Sequence, residues 1–132
     1  MTPKILVVDD EPYMHVLMKH HLDRAGFETL KAVNGRAAVT TAGRDHPAAI
    51  VMDFMMEEMD GLTALKVLKA DEATKDIPVI IVTANGHILT RQEAESSGAV
   101  LFLTKPFSPA KLMHEIRRIV PEPPGEPGLA RG

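Results

Sequence analysis

The sequence predicts an α/β protein: an open three-layer sandwich in which a five-stranded parallel sheet is flanked by five helices. Three observations lead there. Short, continuously apolar runs alternate with longer stretches whose apolar residues recur every three or four positions, the strand–helix alternation of α/β proteins. The short runs show no polar alternation, so both faces of the sheet must be covered, as parallel sheets require. The 132 residues are too few for a closed eight-fold barrel, which takes about 250. Right-handed crossovers then leave an open sheet as the compact solution.

The elements follow in order. "ILVV" (5–8) is brief and β-branched and reads as a buried strand. From Pro12 to Ala25 a helical stripe of Met14, Leu17, Met18, Leu22 and Ala25 recurs at three- and four-residue steps. Pro12 suits its first turn and Gly26 its C-terminal stop. "FETLKAV" (27–33) is a strand whose polar insertions suit a sheet edge. "GRAAVTTAGRDH" is a short helix, "AAIVM" (48–52) the third strand, and "LTALKVLKA" (62–70) the third helix, with Leu62, Leu65 and Leu68 inward. "IPVIIV" (77–82) is the fourth strand, and residues 87–97 form a sparsely patterned fourth helix ending at Gly98. "AVLFL" (99–103) is the fifth strand, and Leu112, Met113, Ile116, Ile119 and Val120 give the fifth helix its stripe. One domain over 1–120 results. The remainder, "PEPPGEPGLARG" (121–132), is dominated by Pro and Gly and reads as a disordered tail.

Composition narrows the function. The chain is 45% hydrophobic and 25% charged, ordinary for a globular domain. A net charge of -3 argues against direct nucleic-acid binding, whose footprint is basic. Without cysteine there is neither a disulfide nor a thiolate metal site. The N-terminal "MTPKILVVDD" has four apolar residues before two acids, too few for a signal peptide or a membrane span. The expectation is a cytoplasmic protein with no membrane contact.

The strand ends carry the chemistry. "ILVV" is followed by Asp9 and Asp10, "AAIVM" by Asp53, "IPVIIV" by Thr83, and "VLFLT" by Lys105. In a parallel sheet these ends share one edge, where open α/β sheets bind ligands. An acid after a strand more often caps a helix or opens a turn. Four strand ends doing so together point to a site. Three clustered carboxylates repel unless a cation sits among them. With oxygen ligands alone, a hard ion is favoured, Mg²⁺ before Mn²⁺. Lys105 and Thr83 can then bind phosphoryl oxygens, and a carboxylate is a competent nucleophile toward phosphorus. Asp53 stands alone at mid-sheet and is the best nucleophile, while Asp9 and Asp10 form a metal-binding pair.

"VVDDEP", "VMDFMMEEMDG", "VIIVTA" and "LTKPF" together resemble the receiver domain of two-component response regulators, over residues 4 to about 120. The resemblance implies strand order 2-1-3-4-5. It also implies Asp9 and Asp10 as the acidic metal pair, Asp53 as phosphoacceptor and the Met55 carbonyl as a further metal ligand. Thr83 is implied as the switch hydroxyl, Phe102 as the switch aromatic and Lys105 as the phosphate-binding lysine, with a cis Lys105–Pro106 bond. Implied partners are a histidine kinase or histidine phosphotransfer protein, and an effector or second copy on the fourth helix–fifth strand–fifth helix face. Ending twelve residues after the last helix, the chain is expected to carry no DNA-binding or enzymatic output, as a stand-alone receiver or part of a longer regulator.

Two departures bear on the chemistry. Met56-Glu57 stands where the family often has Met-Pro, so the loop loses a backbone constraint and gains charge. Met55, two residues past the nucleophile, is a poor hydrogen-bond partner for an attacking water, which implies a long-lived phosphoryl group unless Asn85 orients the water. Other features read blandly. His15, His20 and His21 lack the four-residue spacing of a helical metal pair and read as solvated or structural. Met52, Met55, Met56 and Met59 read as packing. A strand-end nucleophile with Mg²⁺ also occurs in haloacid-dehalogenase-type phosphatases, but these need a second Asp where this chain has Met55. A pseudo-receiver binding partners constitutively would not need the acidic set.

Overall fold

The computed structural model describes residues 2–56, 59–84, 96 and 98–120. Its strands are β1 (Lys4–Val8), β2 (Glu28–Ala32), β3 (Ala49–Asp53), β4 (Val79–Ala84) and β5 (Leu101–Lys105). The helices among the described residues are α1 (Pro12–Ala25), α2 (Gly35–Asp45), α3 (Gly61–Ala70) and α4 (Pro109–Ile119). The sequence predicts five helices and four are described. The expected helix over 87–97 falls, apart from Ser96, outside the described residues, as do Glu57 and the tail 121–132.

All strands pair in parallel, in the order β2-β1-β3-β4-β5. The polar ends of β3, β4 and β5 turn out to lie inside the ladders rather than after them. Asp53 pairs with Val82, Thr83 with Thr104 and Ala84 with Lys105, so backbone pairing holds the site residues themselves. At the other end, β4 begins two residues later than its apolar run. The Ile77 N–H closes a turn onto the Thr74 carbonyl at 3.1 Å, and Pro78 has no N–H to donate.

Strand alternation divides the core between the two faces. On one, Leu6, Val8, Ile50, Met52 and Ile81 meet Ala38, Ala42, Ala64, Leu65 and Leu68 of α2 and α3. On the other, Ile5, Val7, Val51, Ile80 and Val82 meet Met18, Leu22, Leu112, Met113 and Ile116 of α1 and α4. Side-chain caps set three helix starts. Asn34, Asp60 and Ser108 accept from the N–H groups of Ala37, Thr63 and Lys111 at 2.8, 2.8 and 3.2 Å, satisfying otherwise orphaned donors. Helix α1 instead starts on Pro12 with no side-chain cap, and stops at Gly26 with φ 93°, a left-handed turn suited to glycine.

Gly61 fixes the approach of α3 to the site. Its N–H donates to the Phe54 carbonyl at 2.9 Å. A Cβ there would stand 2.6 Å from the Asp53 carbonyl oxygen and 2.9 Å from the Phe54 Cα, backbone atoms that cannot swing aside. Gly43, exposed within α2, has nothing within 4 Å of a Cβ. Gly61→Ala is therefore expected to destabilise by about 1–3 kcal/mol through overpacking, whereas Gly43→Ala should stabilise by up to about 1 kcal/mol through helix propensity. Urea unfolding midpoints of the two variants test the contrast, and an unchanged midpoint for Gly61→Ala would contradict the close approach.

Candidate functional site

The carboxyl edge of the sheet gathers groups from four strands. Asp9 follows β1 and is buried, with its N–H tied to the Ala32 carbonyl of β2 at 3.1 Å. Asp53 ends the central strand β3 and is only 7% exposed. Lys105 closes β5 and reaches across 96 residues of sequence to Asp9 Oδ2, 3.2 Å from its Nζ. The same Nζ lies 3.4 Å from Asp53 Oδ1. Asp10 is exposed to solvent, yet one oxygen from each of Asp9, Asp10 and Asp53 lies within 4.8 Å of the others. The structure thus brings together all four charged groups that the sequence singled out. A small cavity beneath them is lined by Val7, Met14, Met18 and Phe107.

Thr83 is buried beside this cluster, and its Oγ1 has no hydrogen-bond partner among the described residues. Leaving a buried hydroxyl unsatisfied costs about 1–3 kcal/mol, so among the described residues this donor is unused. Lys105–Pro106 is a cis peptide. Phe102 packs in the core with Ile81 as its β4 register partner, so its ring is already inward. Met55 lies in the loop after β3 and is 53% exposed, while Met52 is fully buried and Met56 packs against the core. Asn85 lies outside the described residues.

The electrostatics follow from burial. Desolvation raises the Asp53 carboxyl, the Lys105 charge opposes it, and Asp9 and Asp10 add to it, leaving Asp53 at about 6. Burial pulls Lys105 down, but the charges of Asp53 and Asp9 outweigh this and hold the ammonium above its ordinary value. One cation is therefore insufficient for three carboxylates. The donor set is oxygen alone, which fits a hard divalent ion such as Mg²⁺, and Asp9, Asp10 and Asp53 are the residues able to hold it.

Sequence reasoning passed over one contact. His15, on α1, is buried, and its Nε2 lies 2.7 Å from the Asp9 main-chain oxygen. The signal was present: His15, Met18 and Leu22 fall at steps of three and four on the inward face of α1. Spacing against the other histidines hid it, because the ring bonds a carbonyl and no metal.

Comparison with known proteins agrees with this geometry. The family model for the response regulator receiver domain matches residues 5–117. The chain is 36% identical over 118 residues to a DNA-binding dual master transcriptional regulator, RpaA of Synechocystis, covering 89% of this chain and 49% of that protein. It is 36% identical over 120 residues to the transcriptional regulatory protein SrrA of Staphylococcus aureus, covering 91% and 48%. The chain thus spans about half the length of the curated relatives it matches. Among solved structures, the chemotaxis response regulator CheY4 of Vibrio cholerae superposes with TM-score 0.82 at 29% identity, over 91% of this chain and all of that one. The receiver domain of the sensor histidine kinase PA1611 of Pseudomonas aeruginosa does so with TM-score 0.81 at 30% identity, over 89% and 97%. That structure holds a magnesium ion coordinated in its active-site cleft. With the sheet order, the acidic cluster and the family match in agreement, this chain belongs to the response regulator receiver domain family.

Proposed function

We propose that the chain is a phosphorylation-controlled switch with Asp53 as its phosphoacceptor. One observation carries the reading: Asp53 is buried at the end of the central strand, 3.4 Å from Lys105 and clustered with Asp9 and Asp10. The donor is a phosphohistidine of a histidine kinase or histidine phosphotransfer protein. An Asp53 oxygen attacks the phosphorus, a P–O bond forms as the P–N bond breaks, and the imidazole leaves with the electron pair and takes up a proton. Mg²⁺, or Mn²⁺, held by Asp9, Asp10, Asp53 and the Met55 carbonyl, would supply charge neutralisation at the phosphoryl oxygens. Lys105 binds one of those oxygens as a compact cation. The unpartnered Thr83 hydroxyl donates to another. Positioning and electrostatics do the rest.

Exposed apolar side chains support docking of the donor. Tyr13 and Val16, each 69% exposed on the first turns of α1, adjoin the acidic pair, and Met55 is exposed in the loop after the nucleophile. Apolar residues grouped at a polar rim suit a partner helix. Movement of Thr83 toward the phosphoryl group, sensed by Phe102, would alter the face made by residues 87–97, β5 and α4, which an effector or a second copy reads. We take 87–97 as a helix between β4 and β5, which makes five helices in all, and 121–132 as a tail, and place the chain in the cytoplasm, where kinases draw on ATP. Among the described residues no helix is long and apolar enough to cross a membrane. The -3 charge supports an output through protein contacts rather than through nucleic acid held by this domain.

Three outcomes test this reading. Incubation with acetyl phosphate and Mg²⁺ should add one phosphoryl group by mass, lost in Asp53→Asn; an adduct that survives that substitution would place the acceptor elsewhere. Met55→Asn, which supplies an amide to orient water, should shorten the lifetime of the phosphoryl group several-fold, followed as loss of radiolabel from the protein, and an unchanged lifetime would remove Met55 from the control of hydrolysis. The third concerns pH. Asp53 rises from 3.8 to about 6 on folding, so between these values the folded state binds more protons than the unfolded one. Its contribution to stability therefore falls as pH rises through about 4 to 6 and stays low above. Without divalent ions, Asp53→Asn should stabilise the protein by about 2 kcal/mol at pH 7 and by nearly nothing at pH 4. Denaturant midpoints at the two pH values measure this, and an equal gain at both would reject the buried-charge account.

A further inference from the structure

Every polar group of Asp9 is engaged. Its N–H donates to the Ala32 carbonyl at 3.1 Å, and Oδ1 accepts from the Glu11 N–H at 2.9 Å. Oδ2 accepts from Lys105 at 3.2 Å, and the main-chain oxygen accepts from His15 Nε2 at 2.7 Å. A carbonyl can only accept, so Nε2 carries the hydrogen whatever the state of Nδ1. Nδ1 itself is buried with no partner among the described residues. An apolar side chain would spare the unpartnered Nδ1 but leave the Asp9 carbonyl without its donor, and an unsatisfied buried polar group costs about 1–3 kcal/mol. Packing alone is thus a poor reason for histidine at this position, and the bond to Asp9 is a good one.

That carbonyl belongs to the peptide joining Asp9 to Asp10. Asp10 is exposed, and no side-chain hydrogen bond holds it among the described residues. Its carboxylate lies within 4.8 Å of the cluster, so its place there depends on the backbone that carries it. Rotation of the Asp9–Asp10 peptide would carry it away from Asp53. We propose that His15 is a positioning residue for the divalent ion: by donating to the Asp9 carbonyl it fixes this peptide plane and aims Asp10 at Asp53. The inference rests on the metal-dependent reading above and adds to it a side chain that touches neither metal nor phosphoryl group. It also joins α1 to the acidic pair, since Tyr13 and Val16 on the outer side of the same turns are exposed while His15 faces in.

Mg²⁺ titration of the full chain, without any phosphodonor, tests it. His15→Leu keeps volume and removes the donor, while His15→Gln keeps an amide donor at similar reach. His15→Leu should weaken Mg²⁺ binding by about tenfold, the usual cost of losing a partner behind a metal ligand, and His15→Gln should recover most of it. A purely structural histidine would lower the melting temperature of the metal-free variants and leave Mg²⁺ affinity alone. In the unsubstituted protein, side-chain nitrogen NMR should show the His15 Nε2 signal moving on Mg²⁺ addition while those of His20 and His21 stay. Equal Mg²⁺ affinity in His15→Leu, or glutamine no better than leucine, overturns the role of His15 alone. If His15→Leu does not fold, an Nε2 signal unmoved by saturating Mg²⁺ overturns it. If the unsubstituted protein binds no Mg²⁺, the metal reading itself fails and this role with it.

Discussion

A carboxylate buried at the centre of a sheet, facing two others and one lysine, is the constraint on which the structure turns. Burial and like charge push Asp53 to about 6 even with Lys105 at 3.4 Å. In a buried ion pair the loss of one partner strands the other at a cost of about 3–5 kcal/mol. Here the imbalance is built in, because among the described residues three acids share one ammonium. The domain folds around a site that lacks positive charge and so favours any ligand that brings a divalent ion. On the proposed function, stability given up at Asp53 becomes binding capacity for metal and phosphoryl group.

The scaffold makes that arrangement possible by rigid means. Asp53, Thr83 and Lys105 sit within hydrogen-bonded ladders, so their backbones cannot relax away from the repulsion. Asp9 is pinned at each of its polar atoms. Behind them, apolar layers on both faces of the sheet back the strand ends. Gly61 brings α3 against the backbone of Asp53 more closely than any side chain permits. Each device trades freedom near the site for placement, as sites that act by electrostatics require.

The relatives frame what this geometry serves. Two are transcriptional regulators about twice as long as the matched region, and a third is a chemotaxis regulator wholly covered by this chain. The same receiver fold thus occurs in relatives with different names and lengths. Within the chain, the exposed Tyr13 and Val16 and the buried His15 share two turns of α1. The surface proposed for donor docking and the residue proposed to brace the acidic pair therefore lie on one helix.

Strand and helix periodicity, and the identity of the residue after each strand, were legible in the sequence because both are local. The apolar runs gave five strands, "VVDDEP", "VMDFMMEEMDG" and "LTKPF" gave the charged groups, and the edge position of β2 followed from its polar insertions. Strand limits were less legible. A ladder extends as far as its neighbour can pair, which carried β3 to Asp53 and β5 to Lys105. The caps at Asn34, Asp60 and Ser108 are local too and could have been read. What no local pattern contains is the meeting of Lys105 with Asp9 across 96 residues, the value of the Asp53 carboxyl, and the bond from His15 to the Asp9 carbonyl. Those depend on distance through space and on exclusion of water, which only the packed sheet and helices define.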